Sequence, residues 1–276
     1  MTVLVTGATG KVGSRVLAQL LADGRAARAG TRRSDIPLDW SIPATWTPAL
    51  SGVEALFFVL PGGDDGHRSV ARIGDQAQAF LEAASQAGVR RVVLMTALGM
   101  NYAPSEVDQR AVELRLQESD FEWSIVRPNW FHQNFTEGSL RDLAVANHGV
   151  LRIPAGEAAV SFIDANDIAA VSVTALRGTH GNREYDVTGE EALTFTQAAA
   201  ITAQAGLPVT AYEPVSDEEF RRSAAALGWH PEYVDTLSGL YSVIASGANA
   251  HTTPDATDLL GRPLRTLAEY AAAPGA

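Results

Sequence analysis

Thr6-Gly7-Ala8-Thr9-Gly10-Lys11-Val12-Gly13 follows a β-prone run at residues 2–6 and opens a stretch in which Val16, Leu17, Leu20 and Leu21 recur at helical spacing. Gly24 is placed to end that helix. A strand, a glycine-rich turn and a helix in this order form the phosphate-binding corner of a dinucleotide fold. Gly7 allows the tight turn, Gly10 lets the backbone approach a pyrophosphate, and Gly13 lets the helix pack closely. The helix start then offers N–H donors and the positive end of its dipole to the phosphates.

Working outward, residues 26–31 read as a second strand and residues 36–40 as a third. Residues 54–60 contain Ala-Leu-Phe-Phe-Val-Leu, a fourth strand apolar on both faces, as buried parallel strands are. A helix is expected over 75–87, a strand over 91–96, a helix over 106–119 and a strand over 123–126. Alternation at this spacing implies crossovers, hence a doubly wound α/β parallel sheet with helices on both faces. Residues 1–150 are assigned to this cofactor-binding unit, with elements at about 160–188 returning to it. Residues 189–276 are expected to form a small, mainly helical substrate lobe. Its caps are legible at Thr194 with Gln197, Ser216 with Glu219, and Thr266 with Glu269. Thr253-Pro254 reads as a capping hydroxyl before a first-turn proline. The alanine-rich tail at 271–276 is expected to fray.

About 20 residues past the glycine turn, an NAD site carries an acid that holds the ribose 2′-hydroxyl. Here the second strand runs out as Gly30-Thr31-Arg32-Arg33, with no acid before Asp35. Two guanidiniums suit a 2′-phosphate, so NADP(H) is the expected cofactor.

The composition excludes much else. The formal charge of −11 opposes nucleic-acid binding. The absence of cysteine rules out thiolate catalysis and Cys-based metal centres, and the six histidines show no ligand spacing, so no metal is expected. The longest apolar run, residues 55–60, is far too short to span a membrane, and no leader pattern precedes Val3. A cytoplasmic protein is expected.

The chain resembles the NmrA-like atypical short-chain dehydrogenases. The likeness rests on the glycine turn, Gly30-Thr31-Arg32-Arg33, Asp39-Trp40 with Thr45-Trp46, and residues 91–97 (Arg-Val-Val-Leu-Met-Thr-Ala). It continues through Glu113-x-x-Leu116-x-x-Ser119, residues 125–131 (Ile-Val-Arg-Pro-Asn-Trp-Phe) with Asn134, Asp164-x-x-Asp167-Ile168-Ala169, and residues 185–189 (Tyr-Asp-Val-Thr-Gly). It implies cofactor contacts at Gly7, Thr9, Gly10, Lys11, Val12, Arg32 and Arg33. Others would come from Leu60 and Pro61, from Thr96 and Ala97, and from Pro128, Asn129 and Phe131 at the ends of later strands. Members of the family include reductases of quinones, azo compounds or ketones, and redox sensors that bind NADP and a protein partner. Both readings stand at this stage.

Ordinary short-chain dehydrogenases reduce carbonyls with a tyrosine whose pKa is lowered by a lysine four residues on. This chain has one lysine, Lys11, in the cofactor turn, and four residues after Tyr102 stands Glu106, which opposes the tyrosine's ionisation. A quinone needs less help, because the hydroquinone anion is a far weaker base than an alkoxide; positioning then supplies much of the rate. Thr96 is the candidate catalytic residue, hydrogen-bonding the acceptor oxygen, or else it holds the nicotinamide ribose or carboxamide. Trp130, Phe131 and His132, with Trp229 and Tyr241, would wall a pocket for a flat aromatic substrate, or else pack the core.

Overall fold

A computed structural model describes residues 1–61, 73–178 and 181–273. His67 and His180, two of the histidines weighed above, and the last three residues of the tail lie outside them. The N-terminal part runs β1 (Val3–Thr6), α1 (Lys11–Ala22), β2 (Ala27–Gly30), α2 (Trp46–Leu50), β3 (Ala55–Val59), α3 (Gly74–Gln86), β4 (Arg91–Met95), α4 (Asp108–Gln117) and β5 (Glu122–Pro128). There follow α5 (Ser139–Ala146), β6 (Val150–Ile153), β7 (Ala159–Val160), α6 (Ala165–Leu176) and β8 (Arg183–Val187). The chain closes with β9 (Leu193–Thr194), α7 (Phe195–Gln204), β10 (Ala211–Pro214), α8 (Asp217–Ala226), α9 (Pro231–Ala245), α10 (Asp255–Leu260) and α11 (Leu267–Ala271).

The main sheet is parallel throughout, in the order β2-β1-β3-β4-β5-β8. Alternate side chains feed opposite layers, as the period of a strand requires. Val3, Val5, Phe57, Val93 and Val126 enter the core shared with α1, α6 and α10. Leu4, Leu56, Phe58, Val92, Leu94 and Ile125 enter the core shared with α2, α3 and α4. The strand order reverses between β1 and β3, and the crevice outside that switch point is where such sheets bind ligands.

Residues 36–40 are not a strand, so every later strand of the sheet counts one lower than the sequence suggested. Pro37 has no N–H to give a ladder, Leu38 N donates to Thr31 O at 2.9 Å, and Trp40 lies flat on Phe58 with ring centroids 5.7 Å apart. The segment is a loop pinned by its side chains.

A third core belongs to the lobe, and it draws on residues well before 189. Phe135, Leu140, Leu143, Leu151 and Phe162 join Phe195, Phe220, Tyr241 and Leu267. The lobe also holds β structure that the sequence hid: β6 pairs in parallel with β10, and β7 antiparallel with β9. Conversely, Ala256 on α10 and Leu264 pack into the sheet's own core. The capping boxes at Thr194 and Thr266 form as expected, and the Ser216 side chain accepts from Glu219 N. Thr253 does not cap: its hydroxyl donates to Asp186 O, and α10 begins at Asp255 with Pro254 as its cap residue.

Candidate functional site

The glycine turn lies at the carboxyl end of β1, and Gly7 adopts φ +59°, open to glycine at little cost. A Cβ on Gly7 would come within 2.4 Å of Val59 Cγ1, and one on Gly13 within 2.2 Å of Gly7 O. Gly13 therefore lets the helix close onto the turn itself, more than onto the strand. Thr9 and Gly10 are exposed, Lys11 is partly exposed, and the Val12 side chain is buried. Among the described residues no side chain caps α1, and no acid sits in its first turn. An uncapped helix start is the arrangement that receives phosphate. Lys11 Nζ donates to Asn134 Oδ1 at 3.1 Å, tying the turn to the segment that follows β5.

Arg32 and Arg33 follow β2 at the rim of the same end, and both are exposed. Among the described residues neither has an ion-pair partner. A 2′-phosphate fits such a pair, and the residues present thus suit a dinucleotide: an uncapped helix start at one end, two exposed guanidiniums at the other. Leu60 is nearly buried and Pro61 exposed after β3; Ala97 is partly buried after β4, and Phe131 after β5. Phe131 forms a bridge with Ile163, which joins the crevice to the lobe.

Two of the expected contacts are already occupied. The Asn129 side chain donates to Ser161 Oγ at 2.8 Å and to Asn249 O at 2.9 Å, and its Oδ1 accepts from Asn249 Nδ2 at 2.9 Å. Its backbone N–H goes to Val187 O. Asn129 is a buried clasp between sheet and lobe, with no polar group but its carbonyl left for a cofactor. Pro128 is buried, and its carbonyl accepts from Leu98 N at 3.0 Å, so it can offer only apolar surface.

Thr96 already has its hydroxyl proton engaged. Its hydroxyl donates to Glu113 Oε1 at 2.6 Å, so the one proton it could offer an acceptor is taken. Glu113 is fully buried on α4 and receives Arg127 in a two-pronged contact, Nε at 2.8 Å and Nη2 at 3.0 Å, with Arg110 Nη1 at 2.8 Å. Burial pushes the Glu113 carboxyl up, but the bonds from Arg127, Thr96 and Arg110 together outweigh it and hold the group below its ordinary range. Glu113 stays an anion, and an anion only accepts. Arg127 in turn reaches Glu184 at 2.6 Å. An arginine next to the apolar pair Ile125-Val126, with a glutamate at an inward position of the preceding helix, was the signal for this network.

The aromatic expectation also changes. Tyr241 is fully buried, with Trp130 stacked on it at 5.8 Å, and Trp229 packs edge-on against Tyr233 in the lobe core. These rings are core, and only Trp130, partly exposed, faces outward in part. His132 is buried as well: Nε2 lies 3.2 Å from Phe162 O, and burial lowers its pKa to about 4 despite the nearby Asp164. Tyr102 stands at 86% exposure, with no lysine beside it. Among the described residues no helix is long and apolar enough to cross a membrane.

Comparison with known proteins identifies a family and a shared fold. A family model described as NAD(P)H-binding matches residues 7–179. The NAD(P)H azoreductase of Xenophilus azovorans is 33% identical, over 98% of this chain and 97% of its own. The (4-alkanoyl-5-oxo-2,5-dihydrofuran-3-yl)methyl phosphate reductase of Streptomyces griseus is 31% identical over 98% and 96%. The NADPH complex of an Escherichia coli quinone oxidoreductase superposes with a TM-score of 0.81, at 24% identity and covering 98% of each chain, and so shares the fold.

Proposed function

This chain belongs to the NAD(P)H-binding family, among the reductases of atypical short-chain dehydrogenase type, and from that premise we propose that it passes hydride from NADPH to a quinone or polycyclic aromatic ketone. Bound NADPH supplies the hydride; the chain supplies binding, orientation and shielding from water.

The observation that carries the reading is the contrast at the crevice. The glycine turn and the pair of exposed arginines support cofactor binding, yet among the described residues no tyrosine–lysine pair accompanies them. The sole lysine bonds to Asn134, and Tyr102 stands in solvent with Glu106 four residues on. Thr96 cannot lend its proton while Glu113 holds it. An acceptor reduced in such a site must take hydride readily and draw its proton from water, as a quinone does. The names of the relatives fit: an azo compound and an unsaturated furanone phosphate are also electron-poor conjugated acceptors. Arg32 and Arg33 support NADPH over NADH.

The test is the loss of the reduced nicotinamide's near-ultraviolet absorbance against a panel of quinones, polycyclic ketones and aliphatic ketones. Rates should follow the acceptor's reduction potential, with aliphatic ketones nearly inert. Tyr102→Phe should cost less than tenfold, against the ~10²–10⁴ of a lost general acid. A hundredfold fall at unchanged cofactor affinity would make Tyr102 the acid. No turnover with any acceptor would favour a sensor that binds NADPH and a protein partner.

A further inference from the structure

The turn after β4 carries two side chains that no described residue engages by a hydrogen bond. Leu98 N is fastened to Pro128 O at 3.0 Å, so this turn is tied to the end of β5, on the crevice side of the sheet. Gly99 then takes φ +82°, and a single 3-10 turn over Met100–Tyr102 is closed by Met100 N to Ala97 O, Tyr102 N to Gly99 O and Ala103 N to Met100 O, each at 3.0 Å. The turn is a rigid backbone feature, not a slack loop. On it, Tyr102 is the most exposed of the large hydrophobic side chains. Its neighbour Asn101 has Oδ1 shut away from solvent without a hydrogen-bond partner, and among the described residues its Nδ2 donates to nothing. An unpaired buried amide oxygen is costly, and an unpacked ring forgoes its burial. Both deficits lie side by side, six residues or fewer from Thr96, whose own hydroxyl is taken.

We propose that residues 99–104 form the acceptor-recognition element: the Asn101 amide bonds the acceptor's oxygen, and the Tyr102 ring covers its flat face. The inference rests on the reductase reading above and names the part of the chain that selects the substrate. An amide suits a quinone better than a hydroxyl or an ion does. Nδ2 can donate to the quinone oxygen before reduction and to the hydroquinone oxygen after it, while Oδ1 stays shut away from solvent. The acceptor gains hydride from the reduced nicotinamide, whose C–H bond breaks, and one proton from water, leaving oxidised cofactor and hydroquinone. Asn101 needs to give up no proton in this exchange. A ring exposed to solvent and covered by a flat guest gains most contact when that guest is aromatic.

The experiment measures binding apart from turnover. The full chain, saturated with NADP⁺ so that no reduction can occur, is titrated with naphthoquinone by quenching of tryptophan fluorescence. Tyr102→Ala and Asn101→Ala should each weaken binding about tenfold, Tyr102→Phe no more than threefold, and NADP⁺ affinity should stay unchanged in all three. In steady-state assays with NADPH, the same variants should raise KM for naphthoquinone, with Asn101→Ala lowering kcat as well. Wild-type affinity for naphthoquinone in both alanine variants overturns the proposal, as does a parallel fall in NADP⁺ affinity, which would make the turn part of the cofactor site. If the wild type reduces nothing yet the variants still weaken binding, the recognition element stands and the reductase reading falls.

Discussion

The cofactor corner and the seam between sheet and lobe are built from the same polar residue types and treat them in opposite ways. At the corner, among the described residues no side chain caps the start of α1, and Arg32 and Arg33 make no ion pair, although the Arg32 charge reaches Asp39. At the seam, Asp164 caps α6, accepts from Gln133 and from Arg265 at 3.1 Å, and Asp167 takes Arg262 at 2.6 Å and Arg265 N at 2.8 Å. Asn129, Ser161 and Asn249 bond one another a few residues away. Most polar groups of the seam are paired and hold the molecule's parts together, with His132 Nδ1 and Asn249 Oδ1 as exceptions; at the corner they are left open, as a ligand site requires. The same contrast separates Thr96, saturated by Glu113, from Asn101.

That contrast can be broken by removing a saturated group. Glu113→Ala leaves Arg127 buried without its main partner, and breaking a buried pair from one side costs about 3–5 kcal/mol. Urea unfolding should show a loss of that size, while Glu113→Gln, which keeps hydrogen-bond capacity, should lose less. A variant as stable as wild type would mean that the network is not a structural anchor. At the open corner the expected result is reversed. Gly10→Val places a branched side chain where a pyrophosphate must lie, its Cβ 3.3 Å from Gly7 O, so NADPH affinity should fall at least a hundredfold, ~2.7 kcal/mol, with circular dichroism unchanged and only a small loss in melting temperature. Retained binding would move the phosphates elsewhere. Smaller again is the effect of charge at the rim. NADPH should bind at least tenfold tighter than NADH, about 1.4 kcal/mol, and Arg32→Glu with Arg33→Ala should narrow or reverse the gap. Equal affinities in the wild type would remove these arginines from the 2′-phosphate.

The division between legible and hidden features follows sequence distance. The glycine turn, the helix stops and the capping boxes depend on residues within a few positions of each other, and the chain displays them directly. The sheet was legible because buried parallel strands are apolar throughout. Residues 36–40 misled because an apolar run with aromatic residues satisfies strand propensity and loop packing equally, and only contact with Phe58 decides. The pairing of Val150 with Ala211, and the return of Ala256 to the sheet's core, are contacts that no local pattern announces. At the site, each residue's type and position could be read, but not whether its hydrogen bonds were already used. Asn129 and Thr96 carried the right chemistry at the right strand ends and were employed elsewhere.

The smallest expected effect tests the seam through acid. His132 has Nε2 against Phe162 O, so that nitrogen carries the proton in the neutral ring, and Nδ1 is buried without a partner. Burial disfavours the imidazolium most; Asp164 and the Phe162 carbonyl act the other way, Arg265 adds to burial, and the pKa settles at about 4 against an unfolded value near 6.5. The folded-state pKa is thus depressed, and the unfolded chain takes up the proton first as pH falls. Stability contributed by the neutral ring is complete above pH ~6.5 and drains away between there and pH ~4. At pH ~6 the loss from this group alone should be roughly 1 kcal/mol relative to pH ~7.5. His132→Gln cannot titrate, so the difference between variant and wild type in urea midpoints should shrink by about that amount over the same interval. His132 also lies beside Tyr270, 5.7 Å between ring centroids, which ties the last helix to the seam. Acid should therefore loosen the carboxyl-terminal segment first, seen as faster amide exchange in α11 than in β1. A wild type and variant with parallel pH profiles would mean that His132 is already protonated in the fold, with Asp164 as its counter-ion, and that the seam holds a charge pair where burial argues for a neutral ring.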